Sequence, residues 1–382
     1  AVAIGRAFSH IHDKKQAWGD LIRLTNDEEP VRMSVAVALG SAFQYVSEKD
    51  EAWGDLIRLT NDEDSVVRLR VVYALGSAFK HVPDREGAWG DMHRLTEDED
   101  GLVRLGAASV IGAAFQHVPD KTQAWDDLIR LTADEDSYLR ASANHSLGRA
   151  SIFKATEAED EEDFKSELKN AIEFFERSSK EATYSNPSRF CLPFYRSFYS
   201  LMFEKAGAEG EVKRYLAEAK SASEESENKE TLIEAVENLA NALSEGQKVT
   251  DFDATKFDLN ACRRYCDHAA DLIDDAAEGA PGAAQILRRR LPIIDNRIMG
   301  TVREIQEKVG AVCRETRGTS LEELGLTTAR YTQELPTQDP LALTMSLGSM
   351  ASSARDWCEY LPTDKKVDAC EQLKNLPEMD DC

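Results

Sequence analysis

Residues 17–25 read Ala-Trp-Gly-Asp-Leu-Ile-Arg-Leu-Thr, and the phrase returns with its tryptophan at Trp53, Trp89 and Trp125, in steps of 35, 36 and 36 residues. In each copy an aspartate stands two residues after the tryptophan, at Asp20, Asp55, Asp91 and Asp127, and the phrase closes on Thr25, Thr60, Thr96 or Thr132. An acidic loop follows, and then an arginine at Arg32, Arg68, Arg104 or Arg140. A run of small residues comes next, with a glycine at Gly40, Gly76, Gly112 and Gly148. Gly5 fits one step earlier, so residues 1–10 read as the second half of a further repeat. A period of this length marks a stacked array, because one such unit cannot bury its apolar face alone.

Each unit reads as two helices. The first, over 14–25, sets Ala17, Trp18, Leu21 and Leu24 on one stripe, and the second, over 31–45, does so with Val31, Val35, Ala38, Leu39, Ala42 and Phe43. A glycine inside a helix costs about 0.5–1 kcal/mol. Its return in every second helix points to close approach of backbones rather than to a phosphate loop. Pro83 and Pro119 stop the second helices, and Asp84 and Asp120 stand where they can cap the next ones.

The two-helix unit, with an aspartate six residues before the arginine (Asp62 and Arg68, Asp98 and Arg104, Asp134 and Arg140), resembles the HEAT and HEAT-like repeat family over residues 1–153. The whole chain is similar to archaeal HEAT-repeat proteins. In that family these residues build a ladder between stacked repeats, and the resemblance implies the same here. The first unit departs from the spacing, with Asp27 five residues before Arg32, which puts its rung in question.

The rest of the chain is expected to be helical too, so the fold class is all-α: a HEAT-like α-solenoid over 1–153 followed by a helical bundle. Helix pairs over 154–250 resemble tetratricopeptide units in part, and 251–382 is expected to form a C-terminal bundle. The run Ile294, Ile298, Val302, Ile305, Val309, Val312 is near-heptad, as in a packed bundle helix. A break is expected over Gly279–Gly282, with the next helix from 292.

The chain has 382 residues, 42% of them hydrophobic, which is ample for a folded core. Seventy acidic residues against 46 basic ones leave a net charge of −24, which disfavours nucleic acid and anionic membrane as partners. No apolar run approaches the roughly 18 residues of a membrane span. The seven cysteines do not read as a disulfide framework, so a cytoplasmic location is expected.

Positions that vary from repeat to repeat mark the surface. In HEAT-like solenoids the second helices line the concave face, which here would present Arg6, Arg70, Tyr73, Lys80, Ser109, His145 and Arg149. Segments 1–10, 31–45, 67–81, 103–117 and 139–153 contain no Asp or Glu. The expectation is a neutral-to-basic groove on a non-enzymatic scaffold, taking an acidic or polar segment of a protein partner. His10, His81 and His117 recur with Tyr45 at the ends of second helices and read as structural caps. Cys262 and Cys266, near His268, read as buried thiols, since no second pair of knuckle ligands exists. No metal, no cofactor and no catalytic residue is expected, because phosphate-loop, GxGxxG, HExxH and GxSxG motifs are missing from the sequence. Two alternatives stay open. The half repeat at 1–10 and the missing initiator Met suggest a piece of a longer chain, such as the sensor or regulatory region of a larger NTPase. A lyase-like HEAT-repeat enzyme would instead need a deep pocket with convergent polar groups.

Overall fold

The structure is a computed structural model describing residues 2–181, 186–203, 208–223, 226–250, 259–333 and 340–374, with the helical side chains over 246–250, 293–302 and 340–348 and some others, that of Arg6 among them, left undescribed. Every regular element among the described residues is helical. None is long and apolar enough to cross a membrane. The chain forms two compact units, Ala1–Tyr199 and Ser200–Cys382.

In the first unit, α1 (Val2–Ala7) is followed by pairs: α2 (Lys14–Arg23) with α3 (Glu29–Ala42), α4 (Lys49–Leu59) with α5 (Ser65–Phe79), α6 (Arg85–Leu95) with α7 (Gly101–Ala114), and α8 (Lys121–Leu131) with α9 (Ser137–Glu157). Then come α10 (Glu161–Lys180) and most of α11 (Ser188–Phe203), whose last residues belong to the second unit. The members α1, α3, α5, α7 and α9 pack in succession as one layer, and α2, α4, α6 and α8 each cover their own partner in it. Aspartates start most of these helices: Asp13, Asp84 and Asp120 accept from the third backbone N–H of α2, α6 and α8, while Asp64, Asp100 and Asp136 cap α5, α7 and α9. Each such cap is worth about 1 kcal/mol. The acidic loops are therefore engaged as helix starts, and no metal-binding group of carboxylates occurs among the described residues.

Two devices tie successive repeats together. The first is aromatic: Phe8, Trp18, Phe43, Trp53 and Phe79 alternate through the buried core, with edge-to-face contacts at centroid distances of 6.2–6.4 Å. The Trp18 and Trp53 indole N–H groups donate to Asp55 and Asp91 of the following repeat at 2.9 and 3.0 Å, which gives those two aspartates their role. In the third repeat His93 replaces the usual isoleucine and occupies Asp127, so Trp89 turns to Gln123 instead. The second device is the glycine row. A methyl group on Gly5 or Gly40 would lie 2.7 Å from the Cα of Ala38 or Ala74, and on Gly112 2.5 Å from the Ser146 side chain. These backbones come closer than any side chain permits.

The first compact unit runs past residue 153. Helix α9 continues without a break to Glu157, and α10 packs on it as the next layer of the stack, with Phe175 against Gly148.

In the second unit α12 (Glu209–Ser221), α13 (Glu227–Thr250), α14 (Leu259–Ala276), α15 (Pro281–Glu315), α16 (Glu322–Gln333), α17 (Pro340–Tyr360) and α18 (Asp368–Lys374) form a bundle. Helix α15 starts at Pro281, whose missing N–H is harmless in a first turn. It passes through Pro292, where the sequence reading had a helix begin. Ile305, Val309 and Val312 of the near-heptad run are buried. The side chains of Ile294, Ile298 and Val302 lie outside the described residues. Five cysteines join that core: Cys262, Cys266, Cys313, Cys358 and Cys370. Burial raises the Cys313 thiol to about 11. Cys358 of α17 and Cys370 of α18 form a disulfide with a Cα–Cα distance of 5.6 Å. This corrects the reading of the cysteines: a separation of 12 residues across a helix–turn–helix brings the two within bonding reach.

Candidate functional site

The layer of second helices carries a groove of about 660 Å³, walled by α3, α5, α7 and α9. Its floor is set by small residues, among them Gly40, Gly76, Ala113 and Ala114, which keep the helices close and leave room above them. Hydroxyls and amides stand along it: Ser41, Ser77, Ser109, Gln44, Gln116 and Tyr73. The Ser41, Ser77 and Ser109 hydroxyls return a hydrogen bond to the carbonyl four residues back at 3.1 Å, and Ser109 also meets Ser142 Oγ at 2.8 Å. The charged members are Lys80 and Arg149, with His81 and His117 beside them, and no carboxylate lines the groove.

Lys80 and Arg149 are exposed, and neither forms an ion pair among the described residues. The outer layer of first helices behaves differently. There Arg23, Arg58, Arg94 and Arg130 each meet the aspartate three residues earlier, Asp20, Asp55, Asp91 and Asp127. These four outer-layer arginines are neutralised, whereas Lys80 and Arg149 in the groove are not.

The residues expected to face a partner divide. Tyr73, Lys80, Ser109 and Arg149 line the groove together. Arg70 is exposed but lies outside the lining, and the Arg6 side chain is not among those described. His145 is a correction. His145 is half-buried, with its Nδ1 2.8 Å from the buried Ser188 hydroxyl and its ring 5.4 Å from that of Phe175, because α10 and α11 pack over this turn of α9 while Arg149, one turn on, stays exposed in the groove. Burial lowers its pKa to about 3, and the nearby Arg149 charge pushes the same way.

The ladder arginines are occupied on the edge of the stack. Arg32 donates to Asp62 at 2.8 and 3.0 Å, Arg68 to Asp98 at 3.3 Å, and Arg104 to Asp134 at 2.8 and 3.2 Å, each across to the following repeat. Arg68 and Arg104 also bind main-chain carbonyls of their own loop, at Asp62 and Asp98, as Arg140 does at Asp134. The rung of Arg32 is present despite the shortened loop, since its acid comes from the next repeat. Arg140 has no such aspartate to reach and takes Glu181 at 2.9 Å. Burial pushes the Asp134 carboxyl up, but the Asp136 N–H and the Arg104 guanidinium outweigh it and hold the group below the usual range.

His81 and His117 stand at helix ends and also line the groove wall. A signal was in the repeat: four residues after each member of that column stands a cation, Lys14, Lys49, Arg85 or Lys121. Cys262 and Cys266 point into the bundle core, with the Cys262 thiol 3.5 Å from the Ala242 carbonyl, while exposed His268 faces Glu234. They do not converge on a metal.

Compared with known proteins, the sequence matches no family model and no curated protein.

Proposed function

We propose that the first unit is a HEAT-like interaction scaffold whose groove holds an acidic segment of a partner protein. One observation carries this reading: in a chain with 70 acidic residues, the groove lining holds no carboxylate and leaves Lys80 and Arg149 without an ion pair among the described residues. The Gln44 amide and the Tyr73 hydroxyl supply donors for a main chain or for carboxylates, the serine hydroxyls, whose hydrogens go to their own helices, supply acceptors, and small residues give an extended segment room. Unpaired cations of this kind steer an acidic partner and fix its register more than they add raw affinity. The cytoplasmic location expected from the cysteines is disfavoured by the Cys358–Cys370 bond, since such bonds are rare in reducing compartments.

The test is fluorescence anisotropy with a labelled peptide of alternating Glu and Ser. Lys80→Glu with Arg149→Glu is expected to weaken binding at least about tenfold, and rising salt to weaken it further. Arg70→Glu, outside the lining, is expected to change it less than about threefold. Equal binding by the Lys80/Arg149 variant and the native chain overturns the reading.

A further inference from the structure

His81 and His117 stand 36 residues apart, at one register of successive repeats. His81 follows the end of α5 and His117 closes the short turn after α7. Both are half-buried in the groove wall. The charged groups that bear on them come from each neighbouring element and are all cationic. Lys80 from the end of its own helix and Lys49 at the start of α4 act on His81, with His117 from the next repeat. Arg85 at the start of α6, Lys80, and Lys121 at the start of α8 act on His117. Lys49 is itself held by the Phe43 carbonyl and sits 5.0 Å above the Phe43 ring, and Lys121 lies 5.5 Å above that of Phe153. These cations are fixed in position beside the imidazoles.

We propose that His81 and His117 form a proton-coupled anion subsite of the groove, in which each imidazole takes up a proton as a carboxylate of the bound acidic segment seats beside it. Without a ligand, partial burial and the surrounding cations lower both groups, so the rings are neutral at neutral pH. In that state His117 Nε2 lies 3.0 Å from the Gln116 amide, a position in which the neutral ring nitrogen accepts. A carboxylate arriving in the groove reverses the field on both rings. Each ring then takes one proton from the buffer acid, leaving its conjugate base in solution, and gains one positive charge against the negative charge of the carboxylate; at His117 the new Nε2–H displaces the Gln116 amide and donates to the carboxylate oxygen. The subsite reads carboxylates at the spacing of one repeat and binds them more tightly as the medium acidifies.

This inference rests on the groove reading, and one experiment separates the two. The intact chain is titrated calorimetrically with the Glu-Ser peptide at about pH 7 in two buffers of different ionisation heat, and its affinity is followed from about pH 7.5 to about pH 5.5, where the peptide stays ionised. The expected result is net proton uptake, and an affinity that rises roughly tenfold per pH unit for each proton taken up. His81→Gln with His117→Gln is expected to bind within about threefold of the native chain at the alkaline end and to lose the rise. Buffer-independent heat with tight binding, or an unchanged rise in the glutamine variant, overturns the histidine subsite and leaves the groove standing. Failure of the native chain to bind, or unchanged binding by Lys80→Glu with Arg149→Glu, overturns both.

Discussion

Arg104 bonds the carboxylate of Asp134, 30 residues ahead in the next repeat, and takes from Asp98, six residues behind it, only the main-chain carbonyl. The arginine therefore does two jobs: it closes its own loop and staples that loop to its neighbour. Both side chains are largely covered, at 22% and 16% exposure, so solvent screens the pair only in part. A double-mutant cycle with Arg104→Ala and Asp134→Ala is expected to give a coupling of about 1–2 kcal/mol, read from denaturant unfolding of the first unit. A coupling near zero would show that loop closure alone is what the arginine provides.

Glycines in this chain have opposite roles in the two helix layers. Gly40→Ala is expected to destabilise by about 1–3 kcal/mol, because its methyl meets the Ala74 backbone, which cannot give way. Gly54→Ala, with nothing within 4 Å, is expected to stabilise by about 0.5–1 kcal/mol through helix propensity. Urea midpoints of the two variants, moving in opposite directions, check the close approach of the second helices.

Much of the fold follows from the repeat alone. The helix pairs, the packing glycines and the capping aspartates are written at fixed register because each repeat meets the same neighbours. The fate of His145 was not legible, since its surroundings come from Phe175 and Ser188, outside the period. The Cys358–Cys370 bond was hidden for a similar reason, as nothing periodic reports how α17 and α18 meet. In the groove, Lys80 and Arg149 were visible as variable basic positions. His81 and His117 read as structural caps because one residue per repeat at a helix end satisfies a purely structural explanation; their place in the groove lining comes from the packing of successive repeats.

His145 predicts an acid dependence. Its folded pKa of about 3 lies below the unfolded value near 6.5, so the unfolded chain binds the proton first. Its stabilising contribution is complete above about pH 6.5 and is lost as the pH falls towards 3, with a slope of up to about 1.4 kcal/mol per unit. Thermal unfolding of His145→Gln from about pH 7 to about pH 4 is expected to show a shallower slope than the native chain; parallel slopes contradict the burial of the neutral ring.

The disulfide predicts a redox dependence of the second unit. It closes a loop of 12-residue separation, so Cys358→Ser with Cys370→Ser is expected to lower that unit's stability by about 2–3 kcal/mol. Added reductant is expected to lower the native chain by a similar amount and to leave the variant unchanged. Equal melting of native chain and variant under oxidising conditions would contradict the bond.

The central claim is that the acidic segment lies on the second-helix layer. Ser77 lines the groove and Ile129 is exposed on the outer layer, so a photoreactive benzoylphenylalanine at either position reports which face the peptide touches. With the Glu-Ser peptide and mass-spectrometric readout, the account predicts a salt-sensitive crosslink from position 77 and none from position 129. A crosslink from position 129 alone would contradict it.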